Sequence, residues 1–148
     1  MLKPGLIFAL SAALAACSAP GPKLDIHDGW ARETGQSDMA AAYVTIDNRG
    51  GADELTGVRA SIGDAMLHES TMDGGIMRMR PIDPEVGLVV PSNGTLRLGA
   101  GGAHVMIASL KKPLKVGDRF DIVLLFDKAG ARKTTITVRP ATETPETH

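Results

Sequence analysis

The chain has 148 residues, with 16 Lys or Arg against 17 Asp or Glu, which gives a formal net charge of −1 at pH 7. This balance argues against nucleic acid or an anionic lipid surface as the main partner, because both select a basic face. A single cysteine excludes an internal disulfide, and three Phe, one Trp and one Tyr leave a core that must be mostly aliphatic.

The N-terminus predicts an export signal. Lys3 is followed by an apolar run over residues 6–16, and small residues surround the only cysteine. This run has about half of the roughly 20 apolar residues that a transmembrane helix needs, so we expect it to be cleaved. Residues 14–17, Leu-Ala-Ala-Cys, resemble the bacterial lipobox, whose cysteine receives a diacylglyceryl thioether and begins the mature protein. The alternative is an ordinary signal peptide cut at a nearby small residue, with Cys17 discarded or left as a free thiol.

These signals divide the chain into four parts. We expect a lipoprotein signal peptide at 1–16, a lipidated tether at 17–23, one domain at 24–139 and a flexible tail at 140–148. Removal of the signal takes away one Lys and no acid, so the mature chain of 132 residues has a formal charge of −2. The predicted location is the periplasmic side of a bacterial cell envelope, with Cys17 anchoring the protein to a membrane.

The domain carries the pattern of β-strands. Polar and apolar residues alternate in stretches rich in β-branched residues, at 41–48, 103–109, 119–127 and 132–139. Segments rich in Gly, Asn and Pro separate these stretches, and no window favours a long amphipathic helix. We therefore predict an all-β fold, either an antiparallel sandwich or a Greek-key barrel, of about eight to nine short strands.

The methionines are unevenly distributed along this domain. After Met1, all of them lie between Met39 and Met106, and most of these fall within residues 66–79. In the segment 77–80, Met alternates with Arg. A strand at this position therefore has one thioether face and one cationic face.

A second group of candidate ligands follows in the predicted strand at 103–109. There His104 and Met106 project from the face opposite to Val105 and Ile107. If the two aliphatic residues fill the core, the His and the Met are free to face outward.

A His and a Met two residues apart, near a second His and Met, predict a soft-metal site. Thioether and imidazole ligands suit Cu(I), whereas calcium and magnesium take carboxylates and structural zinc takes thiolates. Four neutral ligands leave a charge of +1 on the complex, so we expect the site at the partly wet rim of the sandwich, where copper can also be exchanged. A blue-copper electron carrier needs a cysteine thiolate, and only Cys17 exists. No nucleophile–base pair for hydrolysis is evident, so we do not predict an enzyme.

The residues at this site match the pattern of a known family. The chain resembles the periplasmic copper chaperones of the PCuAC type, which show a His, ten intervening residues, a Met and then a His-x-Met element. Here ten residues separate His68 from Met79, and His104 and Met106 supply the second element. The resemblance extends over about residues 24–139. It implies a cupredoxin-like β-sandwich that binds Cu(I) through these four side chains.

The sequence departs from the family pattern in two places. The 24 residues between Met79 and His104 exceed the usual interval, and a loop insertion around 84–93 would absorb the difference. Some members end in a His- and Met-rich extension thought to bind Cu(II). Only His148 remains of it here, so we do not predict a second copper site.

The resemblance also implies a role. Members of the family are held to carry Cu(I) to the copper centres of cytochrome c oxidase. The expected partner is therefore the copper-bearing subunit of the oxidase or another copper chaperone. A copper scavenging or storage protein would use the same ligands, and a metal-free scaffold lipoprotein is a further alternative.

The other methionines are assigned mainly to packing, because methionine fills irregular gaps: Met39, Met66, Met72 and Met77. Met72 and Met77 could also form a second shell of thioethers around the metal, and Met77 is the residue that would replace Met79 as a ligand. His27 lies among acids and is interpreted as a surface residue. Trp30 is predicted to pack in the core, with a partner for its indole N–H.

Overall fold

The computed structural model describes residues 19–142, and within them the fold is all-β. This confirms the predicted fold class, with ten strands rather than eight or nine. The strands are β1 Leu24–Arg32, β2 Ala40–Asn48, β3 Asp53–Ala60, β4 Asp64–Asp73, β5 Ile76–Pro81, β6 Leu88–Val90, β7 Gly94–Leu98, β8 Ala103–Ala108, β9 Arg119–Phe126 and β10 Gly130–Arg139. The short β6 lies within 84–93, where we expected a loop insertion, and β7 follows it directly. A three-residue strand is too short to show a periodicity in the sequence.

The strands are hydrogen-bonded in the order β5-β4-β8-β2-β1-β10-β9-β3-β6, and β7 pairs with β2. All pairs are antiparallel except β1 with β10, which is parallel. β3 contacts β4 without pairing with it, so the sheet folds over on itself into a sandwich. β5 lies at one end of the order and is exposed along its whole length.

The space between the layers is filled mainly by aliphatic side chains, as the composition requires. The most deeply buried are Val44, Ile46, Leu55, Val90, Val105, Ile107, Ile122, Leu124, Ile136 and Val138. Burial of each such side chain contributes roughly 1.5–3 kcal/mol, which offsets the lack of a disulfide. β8 contributes Val105 and Ile107 to this core, as predicted.

Trp30 is buried, as predicted, but it lies outside the main cluster of core side chains. The cause is a β-bulge in β1: Ile26 pairs with Ile46, yet Trp30 pairs with Tyr43, so one extra residue is inserted. Because side chains alternate between faces, one extra residue moves Trp30 to the face opposite Ile26. The rings of Trp30 and Tyr43 then pack together with centroids 4.5 Å apart.

Glycine is required next to this bulge. Asp28 adopts a positive φ of 53°, and a Cβ on Gly29 would lie 2.7 Å from the carbonyl oxygen of Thr135 in the parallel neighbour β10. Only a residue without a side chain allows the two strands to approach this closely.

The described part of the predicted tether lies against the turn between β2 and β3. The side chain of Asn48 accepts a hydrogen bond from the backbone N–H of Lys23 at 3.0 Å, and Gly51 N–H donates to Pro20 O at 3.1 Å. The predicted signal peptide, the lipobox and Cys17 lie outside the described residues, as does the tail after residue 142. Within residues 19–142, no helix has the length and apolarity to cross a membrane.

Candidate metal centre

The candidate ligands come from three adjacent strands, β5, β4 and β8. In the observed register His68 on β4 lies directly opposite His104 on β8, and Met79 on β5 lies opposite Ser70 on β4. Residues directly opposite each other, and residues two apart along a strand, share a face. His68, Met79, His104 and Met106 therefore lie on one face of the sheet, opposite to the aliphatic core.

His104 and Met106 are much more buried than predicted. His104 is 4% exposed and Met106 is 8% exposed, so the prediction that this pair faces outward into solvent is wrong. A second hydrophobic layer covers this face, because the ring of Tyr43 lies 6.4 Å from that of His104 and itself packs against Trp30. The base of the site is therefore largely shielded from water.

A backbone carbonyl orients the His104 ring. The Nδ1 atom of His104 lies 3.0 Å from the carbonyl oxygen of Gly102, and a neutral ring whose Nδ1–H donates to this acceptor keeps a lone pair on Nε2. The same carbonyl accepts the backbone N–H of Ser70 at 3.1 Å, which ties β4 to the start of β8. Histidine ligands of metals are usually held through their second nitrogen in this way.

His68 has no such partner. Both of its ring nitrogens are shielded from solvent and form no hydrogen bond. Burial, and to a lesser extent the nearby His104, lowers the pKa of His68, so its ring is neutral at pH 7. The two ring centroids are 6.0 Å apart. Two buried ring nitrogens without partners cost folding free energy, and a soft metal ion between the two rings would supply a partner for one of them.

The methionines surround the histidine pair on the same face. Met79 is 56% exposed on the edge strand β5, whereas Met106 is buried on β8. The methionine on β8 is therefore shielded from water, whereas the one on β5 is exposed to it. Met66 on β4 lies directly opposite Met106 on β8, so its thioether is also placed close to the candidate ligands. With strands about 4.8 Å apart, Met79 is two strands from β8 and Met66 only one.

The remaining candidates lie elsewhere. Met39 is exposed, and His27 contacts Asp28 and Asp47, with ring nitrogens 2.8 and 3.1 Å from the carboxylates. These carboxylates raise the pKa of His27, mainly through the hydrogen bond to Asp47. Across the part of the chain that the structure describes, no group of three or more His, Cys, Asp or Glu could hold a metal ion.

The sequence did not indicate the roles of Tyr43, Trp30 and Ser70. Tyr43 lies beside His104 and Trp30 packs against Tyr43, while Ser70 lies between His68 and Met72 at a buried position opposite Met79. The sequence shows only that Tyr43 lies two residues after Ala41 in a predicted strand, so that the two side chains share a face of that strand.

Comparisons with known proteins identify the family of the chain. The sequence matches the family described as "Putative lipoprotein LpqE-like" over residues 24–138. It is 28% identical over 130 residues to "Putative lipoprotein Lxx21020" of Leifsonia xyli, which covers 84% of this chain and 76% of the relative.

Two solved structures resemble the whole domain. The apo PCuAC domain from PmoF1 is 25% identical, with a TM-score of 0.65, over 81% of this chain and 96% of that domain. The Cu(I) form of DR1885 from Deinococcus radiodurans is 29% identical, with a TM-score of 0.57, over 87% of this chain and 85% of that one. These likenesses agree with the predicted cupredoxin-like architecture, and the match over most of the domain shows that the chain belongs to the LpqE-like lipoprotein family.

Proposed function

We propose that this protein is an extracytoplasmic Cu(I)-binding copper chaperone whose metal ligands are His68, Met79, His104 and Met106. The observation that carries the proposal is the pair of histidines on β4 and β8. One of them has two buried nitrogens without partners, and the other is fixed by a carbonyl so that its Nε2 is free. Thioethers flank the pair on the same face, and this donor set suits Cu(I).

The comparisons support the same metal. DR1885 is described in its Cu(I) form, and the PmoF1 domain is described as a PCuAC domain. Both resemble this chain over most of the domain, at 25% identity or more. The ligand spacing here also fits the PCuAC pattern.

A transfer role is favoured over storage by the exposure of the ligands. The buried His104 and Met106 hold the ion, while the exposed Met79 on an edge strand can be displaced first by an incoming donor. A storage protein gains nothing from an exchangeable ligand. We propose that the recipient is the copper-bearing subunit of cytochrome c oxidase or another copper chaperone. The protein itself is a carrier and not an enzyme.

Transfer to a purified apo copper domain of the oxidase tests this role. We expect the Cu(I)-loaded protein to metallate the domain faster than the same copper delivered from a chelator. Absence of transfer, together with normal oxidase activity in a deletion strain, would leave storage or scavenging as the function.

We further propose that the domain is held on the periplasmic side of the envelope by a lipid on Cys17, with the signal peptide 1–16 removed and the tail 140–148 playing no part in copper binding. The family match to lipoproteins supports the anchor. Metabolic labelling with an alkyne fatty acid should mark the wild type and not a Cys17→Ser variant. Equal labelling of the two proteins would refute a lipid on Cys17.

A further inference from the structure

Met72 and Met77 form a thioether pair at the tip of the β4–β5 hairpin, outside the proposed site. They lie directly opposite each other in the register, one pair before the turn at Gly74 and Gly75. Both glycines have positive φ, of 57° and 84°, as a tight two-residue hairpin turn requires. The turn therefore fixes which two side chains face each other at the tip.

Packing does not explain this pair. Met72 is 66% exposed and Met77 is 57% exposed, so neither fills a gap in a core. A Met in a solvent-exposed strand has no advantage in packing over a polar or β-branched residue. The reason for two thioethers at this position must be sought in what they could bind.

The two sulfur atoms can reach a common ligand. Side chains directly opposite each other have Cβ atoms about 4.5–5.5 Å apart, and methionine has three flexible torsions. Met79 lies two residues from Met77 on the same face of β5. The three thioethers therefore form a row of neutral, soft donors that runs from the hairpin tip to Met79, the exposed ligand of the proposed site.

The cationic side chains of the hairpin do not oppose a metal ion here. Arg78 and Arg80 project from the other face, where they lie opposite Thr71 and Glu69. Arg78 also forms an ion pair with Asp73 at 3.4 Å. The face with the thioethers is thus free of positive charge from the hairpin.

We infer that Met72 and Met77, with Met79 as a shared third ligand, form a second and weaker site for Cu(I), through which the ion enters or leaves the site at His68 and His104. The inference rests on the proposed function and goes beyond the single copper site expected from the sequence. The tip site is weaker because it has no imidazole. Transfer is a ligand exchange, in which each thioether bond that breaks is replaced by a bond from the next donor and the oxidation state does not change.

Silver(I) titration followed by NMR of ¹³C-methyl-labelled methionine tests the inference. Ag(I) is a stable probe with the same soft character. In the wild type the first equivalent should shift the methyl signals of Met79 and Met106, and the second should shift those of Met72 and Met77 and shift that of Met79 again, because this thioether is shared. In a Met72→Leu, Met77→Leu variant the second event should be lost while the first persists, because Leu preserves volume. Met39→Leu removes another exposed Met, at a distance from the tip, and is the control, with both events retained.

The outcomes separate the two proposals. A first event at Met79 and Met106 with no response of Met72 and Met77 to further Ag(I) would overturn the entry site and leave the main site intact. Absence of the first event would overturn the proposed function and this inference together. As a second readout, removal of Cu(I) by a chelator should be slower in the double Leu variant than in the wild type. Equal removal rates would contradict a role in transfer.

Discussion

His68 and His104 lie directly opposite each other on β4 and β8, with ring centroids 6.0 Å apart, yet they are held differently. His104 is anchored to the carbonyl oxygen of Gly102, whereas both nitrogens of His68 lack partners. A protein selected only for stability would replace such a histidine with an apolar residue. The unpartnered His68 is therefore better explained by the proposed copper binding than by a contribution to stability.

Replacing His68 with Leu should stabilise the apo protein and weaken copper binding. The change removes two buried polar atoms without partners, and we expect the free energy of unfolding to rise by about 1 kcal/mol. Urea denaturation of the apo proteins measures this. His27→Leu is the matched control, because it removes a histidine with two carboxylate partners and should give no gain. A less stable His68→Leu protein would contradict the account of this residue.

The pKa of His68 should lie below the usual histidine value near 6.5, and the pKa of His27 should lie above it. Burial lowers the pKa of His68, so the unfolded chain binds the proton more readily, and the apo protein loses stability as pH falls below about 6.5. The carboxylates of Asp47 and Asp28 raise the pKa of His27. Its stabilising effect is therefore full below about 6.5 and lost as pH rises through the folded value. NMR titration of the ring protons should give the higher midpoint for His27. The reverse order would show that the His68 ring is solvated.

Asp53 should be essential for the turn between β9 and β10. It is 2% exposed, and its carboxylate accepts the backbone N–H groups of Glu54, Lys128 and Ala129, each at 2.8 Å. Asp53→Asn places an N–H₂ group against one or more of these donors and should cost about 2–4 kcal/mol of unfolding free energy. Asp127→Asn makes the same charge change at an exposed position. Equal stability of the two variants in thermal unfolding would contradict the role of Asp53.

Two matched variants test whether Met79 or Met66 is the second methionine ligand, beside Met106. The family pattern selects Met79, whereas the register places Met66 directly opposite Met106. We expect Met79→Leu to weaken Cu(I) binding by about tenfold, or about 1.4 kcal/mol, and Met66→Leu to leave it nearly unchanged. Competition with a chromophoric Cu(I) chelator measures both. A larger loss for Met66→Leu would transfer the ligand role to that residue.

The sequence located four of the ten strands because each of these has one face on the core and one face away from it. Alternation at β2, β8, β9 and β10 therefore indicated their positions to within about two residues. The predicted orientation of Val105 and Ile107 is confirmed for the same reason.

Alternation could not show what covers the second face. Tyr43 on β2 and Trp30 on β1 are distant in sequence from His104, and only the folded sheet brings them together. The bulge next to Asp28 also reversed the face of Trp30, since one inserted residue inverts the pattern beyond it. The burial of His104 and Met106 follows from these two tertiary effects.

Whether the face that carries His104 and Met106 binds copper is tested by Cu(I) competition against bicinchoninate. The proteins compared are the wild type and a His104→Ala, Met106→Leu variant. The variant removes both buried ligands, and Met39→Leu is the control for loss of an exposed thioether. We expect the wild-type and control proteins each to take one tightly bound Cu(I) from the chelator, with an X-ray absorption spectrum of mixed nitrogen and sulfur neighbours, and the variant to bind much more weakly. Equal affinity of the wild type and the variant would contradict the assignment of this face as a copper site.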